Sequence, residues 1–464
     1  MTGTFSSLNT ALSAMRYQRI AMDVASNNIA NVTSEGYVRR RADAVALGAP
    51  DALAMWSRYD GAGDGVSLAS VSRLADAFLD TRSRREHGQQ AYLDTRATVL
   101  DRVESGIGEP GDSGVSAALA DFRNAWQDLQ THPEQSASRS QVLAAGQSVA
   151  DALRVQASNL TGEMSDQRGH VLDLVGEINA TAHDLAAVNQ NIADAAAAGL
   201  DTNDLADQRD VLALKLADLT GGEATLGPNG VMNVTVGGVA LVTGKDASTL
   251  AVASGIAADG LADGAPLTFS ITGTSGTSTI GPALLGGELG GTSELLTVTL
   301  PGYLAGLDSV AKQLADTVNA LHTTGYDVAG NPGQPFFSYD PTNVAASLTI
   351  AITDPDEVAA SAVPGTLDGS IAEALGDLDV ADDAYRRLVN GFATQVASSK
   401  RASANQQLLT SQVDGSREQL VGVNFDEETV NLLAAQRAYE AAARVMTTMD
   451  SVLDTLINRT GLVR

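Results

Sequence analysis

Both ends of this 464-residue chain read as long helices, each with a single narrow apolar seam. A helix with one seam needs a partner, and that need constrains everything between the ends. From the N-terminus the apolar positions are Phe5, Leu8, Leu12 and Met15, then Met22 and Ile29, a 3-4 spacing that thins to one position per heptad. At ~1.5 Å per residue, residues 3–32 predict a rod of about 45 Å, closed by the turn residues Thr33-Ser34-Glu35-Gly36. The C-terminus is more regular. Leu432, Ala435, Tyr439, Ala442, Met446, Met449, Leu453 and Leu456 keep a strict 3-4 alternation, and Asp426, Glu427 and Glu428 precede them where negative charge suits a helix N-terminus. The simplest partner for each seam is the other, so the two ends are expected to pair as a coiled coil.

The interior then forms a nested excursion. Helical spacing is read over 70–105, 113–160 and 164–196, the last with Met164, Val171, Leu174, Ile178, Leu185, Val188 and Ile192 on one frame. Asn203 to Leu219 continues in the same period. Leu304, Leu307, Val310, Leu314, Val318 and Leu321 mark a returning helix, followed by a long helical segment over 380–420. Residues 222–300 are different: Gly, Thr, Ser and Val dominate, and Pro228-Asn229-Gly230 opens onto alternating residues, a hairpin signal. The expected fold class is mainly α with a β-rich insertion, in three tiers. Residues 1–45 and 426–464 form a terminal helical domain, 46–221 and 301–425 a helical-bundle domain with some β segments, and 222–300 a small outer β domain. Residues 336–365 fit either the β domain or the helical layer. Residues 222–385 hold two Lys against 19 Asp plus Glu, so the middle is expected to face water.

Composition narrows the function. A net charge of −27 argues against nucleic acid or an anionic membrane surface as the main partner. The absence of Cys removes disulfides, thiol nucleophiles and Cys-ligated metals. The first residues lack a basic and apolar leader, and no run of 18 apolar residues is present. His87, His132, His170, His183 and His322 are scattered, without a metal-binding pair at helical spacing. Asp201, Asn203, Asp204 and Asp207 are spaced like part of a calcium loop but lack its central Gly and closing Glu. The triplet Arg39-Arg40-Arg41 is weak evidence for an anionic partner. No catalytic, cofactor or metal site is expected.

The informative residues are polar ones that look out of place on a helix. Residues 25–41 read A-S-N-N-I-A-N-V-T-S-E-G-Y-V-R-R-R, with Asn27, Asn28 and Asn31 around Ile29 and a Gly36-Tyr37 turn. This stretch resembles the N-terminal signature of flagellar rod, hook and hook-associated proteins. Residues 422–445, G-V-N-F-D-E-E-T-V-N-L-L-A-A-Q-R-A-Y-E-A-A-A-R-V, resemble the matching C-terminal signature. Internally, Asn203-Asp204-Leu205-Ala206-Asp207-Gln208-Arg209-Asp210 is similar to a motif of the hook-associated protein 1 family, the first hook–filament junction proteins. Ala320-Leu321-His322 through Gly325-Tyr326-Asp327 to Phe336-Phe337, and Ala125-Trp126-Gln127-Asp128-Leu129 with His132-Pro133, are similar to others.

The resemblance implies a structural axial protein, not an enzyme, without cofactors and without nucleic-acid or membrane partners. It implies export by the flagellar type III pathway to the extracellular hook–filament junction, where the chain polymerises as a ring-like zone. Its implied partners are copies of itself, the hook protein, the second hook–filament junction protein, and a cytoplasmic export chaperone on the C-terminal helix. The expected assembly seam is Leu8, Leu12, Met15, Met22 and Ile29 with Tyr439, Met446, Met449, Leu453 and Leu456. The alternatives are a flagellar hook or rod protein, an enzyme with helical dimerisation arms, and a surface adhesin.

Overall fold

The computed structural model describes residues 2–47, 65–111 and 114–459, with side chains from 7 to 457 within those ranges; the side chain of Phe5 lies outside them. Chain order begins with helix α1 (Thr2–Ala30), an antiparallel ribbon of β1 (Arg40–Leu47) and β2 (Gly65–Arg73), and helices α2 (Ala77–Ile107), α3 (Val115–Thr131), α4 (Ser136–Ala197) and α5 (Asn203–Thr220). A four-stranded antiparallel sheet follows, β3 (Glu223–Leu226), β4 (Met232–Val236), β5 (Val239–Thr243) and β6 (Asp246–Ala247). A three-stranded one comes next, β7 (Thr249–Ser254), β8 (Thr268–Gly273) and β9 (Gly276–Ile280). The chain returns through α6 (Gly287–Glu294), a wide π turn, and α7 (Leu300–His322). It then passes β10 (Phe337–Ser338), α8 (Val344–Ser347), β11 (Thr349–Ile350) and α9 (Ser370–Gly376) into α10 (Val380–Val421) and α11 (Phe425–Asp454). The fold is mainly α with a β-containing insertion.

Local chemistry sets the boundaries. Asp76 caps α2 by accepting the amides of Phe78 and Leu79 at 2.8 and 3.1 Å, so the helical segment expected from residue 70 starts instead at Ala77, after β2. The break within 113–160 falls at His132-Pro133, where proline cannot continue a helix. Arg139 pins the turn by donating to the Pro133 carbonyl at 2.8 Å. No break separates 160 from 164. Gly162 faces open space, where a helical glycine costs only about 1 kcal/mol, and α4 runs unbroken for 62 residues.

That helix is the spine. Its first half packs with α3, α7 and α9 around Phe122, Trp126, Phe336 and Phe337. Its second half lies with α5 against both sheets, through Val171, Leu174, Ile178 and Leu185 to Val234, Leu241, Phe269 and Ile271. A third cluster, including Val99, Leu100, Leu160, Tyr303, Phe392 and Val396, ties α2 and α10 to the spine. Residues 336–360 belong to the first core, with Val344, Leu348, Ile352 and Val358 buried in it, so this segment joins the helical layer. Strands stop at Ile280, and residues 287–300 are already helical.

The first core carries a buried histidine. His322 is fully buried beside Trp126 and Phe336; its Nδ1 donates to the Gln334 carbonyl at 2.5 Å and its Nε2 accepts the Ala359 amide at 2.9 Å. The Nε2 bond requires the neutral ring, and burial, opposed by the bond to Gln334, pulls its pKa down to about 4. The unfolded chain, with an ordinary histidine, binds more protons between about pH 6.5 and 4. Stability is therefore complete above that window and falls as pH drops through it, by about 3 kcal/mol in total. The fluorescence of Trp126, followed during denaturation in a Trp56→Phe background, should show this loss, and His322→Gln should flatten it.

Candidate assembly site at the base of the terminal helices

The contact between α1 and α11 is the most extensive between any two elements. The helices run antiparallel, yet few side chains are fully enclosed. Among the described residues of α1 only Ala11, Ala25 and Asn28 are buried, and of α11 only Glu428 and Ala435. Leu8, Met15, Met22, Ile29, Tyr439, Met446, Met449 and Leu453 are half-buried. Leu12 and Leu456 remain 37% and 49% exposed.

What fastens the pair is polar. The Asn28 amide donates to the Glu428 carboxylate and to the Arg40 carbonyl, both at 2.9 Å. Its carbonyl oxygen accepts from the Tyr37 hydroxyl at 2.8 Å and from the Arg40 amide at 3.0 Å. Arg39 closes the other side of Glu428 through Nε at 2.8 Å and reaches Glu427 at 2.9 Å. The Arg39 backbone joins two further segments, donating to Val421 and accepting from Leu74, each at 2.9 Å. Asn424 caps α11 by accepting the amides of Asp426 and Glu427 at 2.9 and 3.2 Å, which places Glu428 against Asn28.

The internal motif meets this cluster from α5. Arg40 bonds Asp204 and, at 3.1 Å, Asp207. Arg73 on β2 reaches Asp207 and Asp210 at 2.8 Å each. Arg209 pairs with Asp210 at 2.6 Å and donates to the Gly230 carbonyl, and Asn203 donates to Val71 at 2.9 Å. Gly36 sits at φ 76°, and a Cβ there would lie 2.2 Å from Val211 on α5, so only glycine allows the turn to press this closely. The Arg40 guanidinium also stacks over Tyr37 at 5.0 Å. Burial works against the Arg40 cation, but its bonds to Asp204 and Asp207 prevail and hold its pKa above the usual value. Burial raises the Tyr37 hydroxyl, opposed by Arg40.

The structure thus gathers Asn28, Gly36, Tyr37, Asn203, Asp207, Arg209 and Asp210 in one place. Asn27 and Asn31 stay outside it: Asn31 donates to the Asn27 carbonyl and holds the end of α1. The arginine triplet serves internal acids, with Arg41 on Asp43 at 2.8 Å. Asp204 and Asp207, spaced like calcium ligands, face arginines instead. Sequence reasoning missed Arg39, Arg73 and Glu428. Only Arg39 carried a local signal, as part of the arginine triplet beside the Asn-rich segment; Arg73 and Glu428 are brought in from distant parts of the chain. The remaining motifs are core: Trp126, His322, Phe336 and Phe337 touch one another. Among the described residues no three His, Asp or Glu side chains stand together as metal ligands, and no helix is long and apolar enough to cross a membrane.

Because Asn28 and Glu428 are both buried, Asn28→Asp sets two carboxylates against each other and should cost about 3–5 kcal/mol at neutral pH. Trypsin should then cut rapidly at Arg39, Arg40 and Arg41, while the melting of the helical body stays unchanged. Parental resistance to trypsin in the variant would contradict the clamp.

Three family models match the chain. The helical domain of flagellar hook-associated protein FlgK matches residues 100–337. The flagella basal body rod protein family matches 8–37, and the C-terminal family of the basal body rod FlgEFG proteins matches 420–459. Flagellar hook-associated protein 1 of Bacillus subtilis is 29% identical over all of this chain and 99% of its own length. The Escherichia coli protein of the same name is 24% identical over 97% of this chain and 99% of its own length. A solved structure of the flagellar hook junction protein FlgK from Burkholderia pseudomallei shares the fold, with a TM-score of 0.65 at 17% identity over 73% of this chain and 99% of that one. The chain belongs to the flagellar hook-associated protein FlgK family and is a structural component of the flagellar hook–filament junction.

Proposed function

We propose that the chain is a non-catalytic adaptor that polymerises at the distal end of the hook through α1 and α11, with hook protein below and the second hook–filament junction protein above. The observation that carries this reading is the unfilled apolar surface of α11. Val430, Leu433, Val445 and Val452, with Leu456 and Ile457 in the turn just beyond its end, are all 40% or more exposed, up to 75% at Ile457, although α1 already covers one face. A second apolar face on a helix pair that encloses so little of itself suits neighbouring copies.

Charge supports the same arrangement. Residues 1–47 and 422–464 hold nine Arg and nine Asp plus Glu, so the whole net charge of −27 resides in residues 48–421. Neutral ends pack closely around an axis, and an acidic body suits the solvent side. On this reading 1–45 and 426–464 form the inner tier, 46–221 and 301–425 the middle, and 222–300 the outer one. The Leu8, Leu12, Met15, Met22 and Ile29 seam, with Tyr439, Met446, Met449, Leu453 and Leu456, is shared within and between copies. Before assembly the exposed stripe invites aggregation, which favours a cytoplasmic chaperone on α11 and export through the type III pathway.

Deletion of the gene should leave hooks that end bare in electron micrographs, with filament subunits lost to the medium. Complementation with Leu453→Asp should fail to restore filaments, because a carboxylate would enter the closed seam, while circular dichroism of the purified variant stays close to that of the parent. Intact flagella in the deletion strain, or full rescue by Leu453→Asp, would overturn the reading.

A further inference from the structure

Four helices meet in the third core, and two of them stand diagonally: α2 and α7 lie between α4 and α10. The faces that α4 and α10 turn away from this core therefore look out on opposite sides of the body. The two helices run parallel and keep level. Tyr385 reaches Gln156 at 3.2 Å, and Phe392 shares the core with Leu160. Farther along, Arg102 of α2 bonds Glu163 at 3.1 Å while the adjacent Asp101 bonds Lys400.

Both outward faces follow a seven-residue repeat, the spacing that keeps side chains on one stripe of a helix. On α10 the stripe is Arg387, Thr394, Arg401 and Leu408, all exposed. On α4 it is Val155, Gly162, Gly169 and Gly176, and a Cβ on any of these three glycines would meet no atom within 4 Å. Helical glycine destabilises relative to alanine, and nothing within the subunit uses the space these three leave. The charges are unmatched too. Among the described residues Arg387 and Arg401 have no ion pair, and neither do Asp166 and Asp173, which flank Gly169 and are exposed. Residues 111–379 hold eight Lys plus Arg against 33 Asp plus Glu, −25 of the −27, whereas α10 holds five against four.

We infer that the outward face of α10 in one copy docks on the outward face of α4 in the next, parallel and at the same height. With no axial shift, Thr394 falls opposite Gly162, Arg401 opposite Gly169 and Leu408 opposite Gly176, to within about one helical turn. The glycines let the helix axes approach closely. Arg401 enters between Asp166 and Asp173, and Arg387 lays its stem over Val155. Charge complementarity sets the occupant: most of a second copy's surface is repelled by this acidic body, and its α10 face is not. Each copy offers α10 to one neighbour and α4 to the other. The contact is therefore heterologous, keeps every copy pointing the same way, and builds a ring or a shallow helix. It rests on the reading of copies arranged side by side around an axis, and it uses no residue of α1 or α11.

Charge reversal in the full-length chain, expressed in the gene-deletion strain, tests the contact. Arg401→Glu should reduce the number of filaments per cell at least fivefold, and adding Asp166→Arg with Asp173→Arg should restore them, which a misfolded chain would not allow. Unchanged filaments with Arg401→Glu would overturn the contact. A loss that the two added substitutions do not restore would assign the α10 face to a different protein. The chain has no cysteine, so Gly162→Cys combined with Thr394→Cys, oxidised by copper phenanthroline in isolated flagella, should give a ladder of dimers, trimers and higher species on a non-reducing gel. Neither cysteine alone should link, because a heterologous contact sets residue 394 against residue 162 and never against itself. Normal filaments without a ladder, or equal linking by a single cysteine, would overturn the contact while leaving polymerisation at the hook in place. Intact flagella in the deletion strain would overturn that reading, and this contact with it.

Discussion

The side chain of Asn28 holds both ends of the chain at once. One amide touches Glu428 of the C-terminal helix, the Tyr37 hydroxyl of the turn, and both backbone groups of Arg40, at 2.8–3.0 Å. Without it Glu428 would be a buried carboxylate held only by Arg39 and, at 3.3 Å, by its own helix's Asn431. With it the start of α11 and the end of α1 have a fixed register. A buried network of this kind contributes little net stability compared with an apolar core, since desolvation offsets the attraction. Its value is in specifying one arrangement. Arg40 and Arg73 carry that arrangement into α5 through Asp207 and Asp210, so the terminal pair is oriented on the body by charge-assisted bonds.

Away from the clamp the chemistry is reversed. The body rests on α4, which enters one aromatic-centred core with its first half and a sheet-covered core with its second. These cores are closed. The distal parts of α1 and α11 are not, and they meet only partly buried side chains along most of their length. A closed body, a specified joint and an unfinished helix pair make up the subunit, and on the proposed reading neighbouring copies complete its inner part.

The general plan was legible in the sequence because period survives without context. The 3-4 seams of both ends, the returning helix at Leu304–Leu321 and the hairpin at Asn229-Gly230 all carry their own signal. The break at Pro133 and the continuity across Gly162 were not separable by period alone, because both sit in Ala-rich helical composition. The β1–β2 ribbon was missed because its alternation is of Ala, Ser and Val with little contrast. The site was half legible. Asn28, Tyr37, Asp207 and Asp210 stood out as polar residues at odd positions, but their partners lie up to 400 residues away in sequence. Pairings of that range are set by the fold and leave no local trace. The Trp126, His322 and Phe336 motifs stood out only by their resemblance to the family, and packing shows that they are core.

The claim at the centre of this account is that the terminal helices are joined firmly at their base and completed only by neighbouring copies. Hydrogen–deuterium exchange of the free chain, followed peptide by peptide and repeated on assembled flagella, tests it directly. Residues 25–40 and 424–431 should exchange slowly in both states. Residues 7–20 and 440–457 should exchange within seconds in the free chain and become protected on assembly. Slow exchange along the whole of α1 and α11 in the free chain would contradict the account, because the pair would then be complete without neighbours.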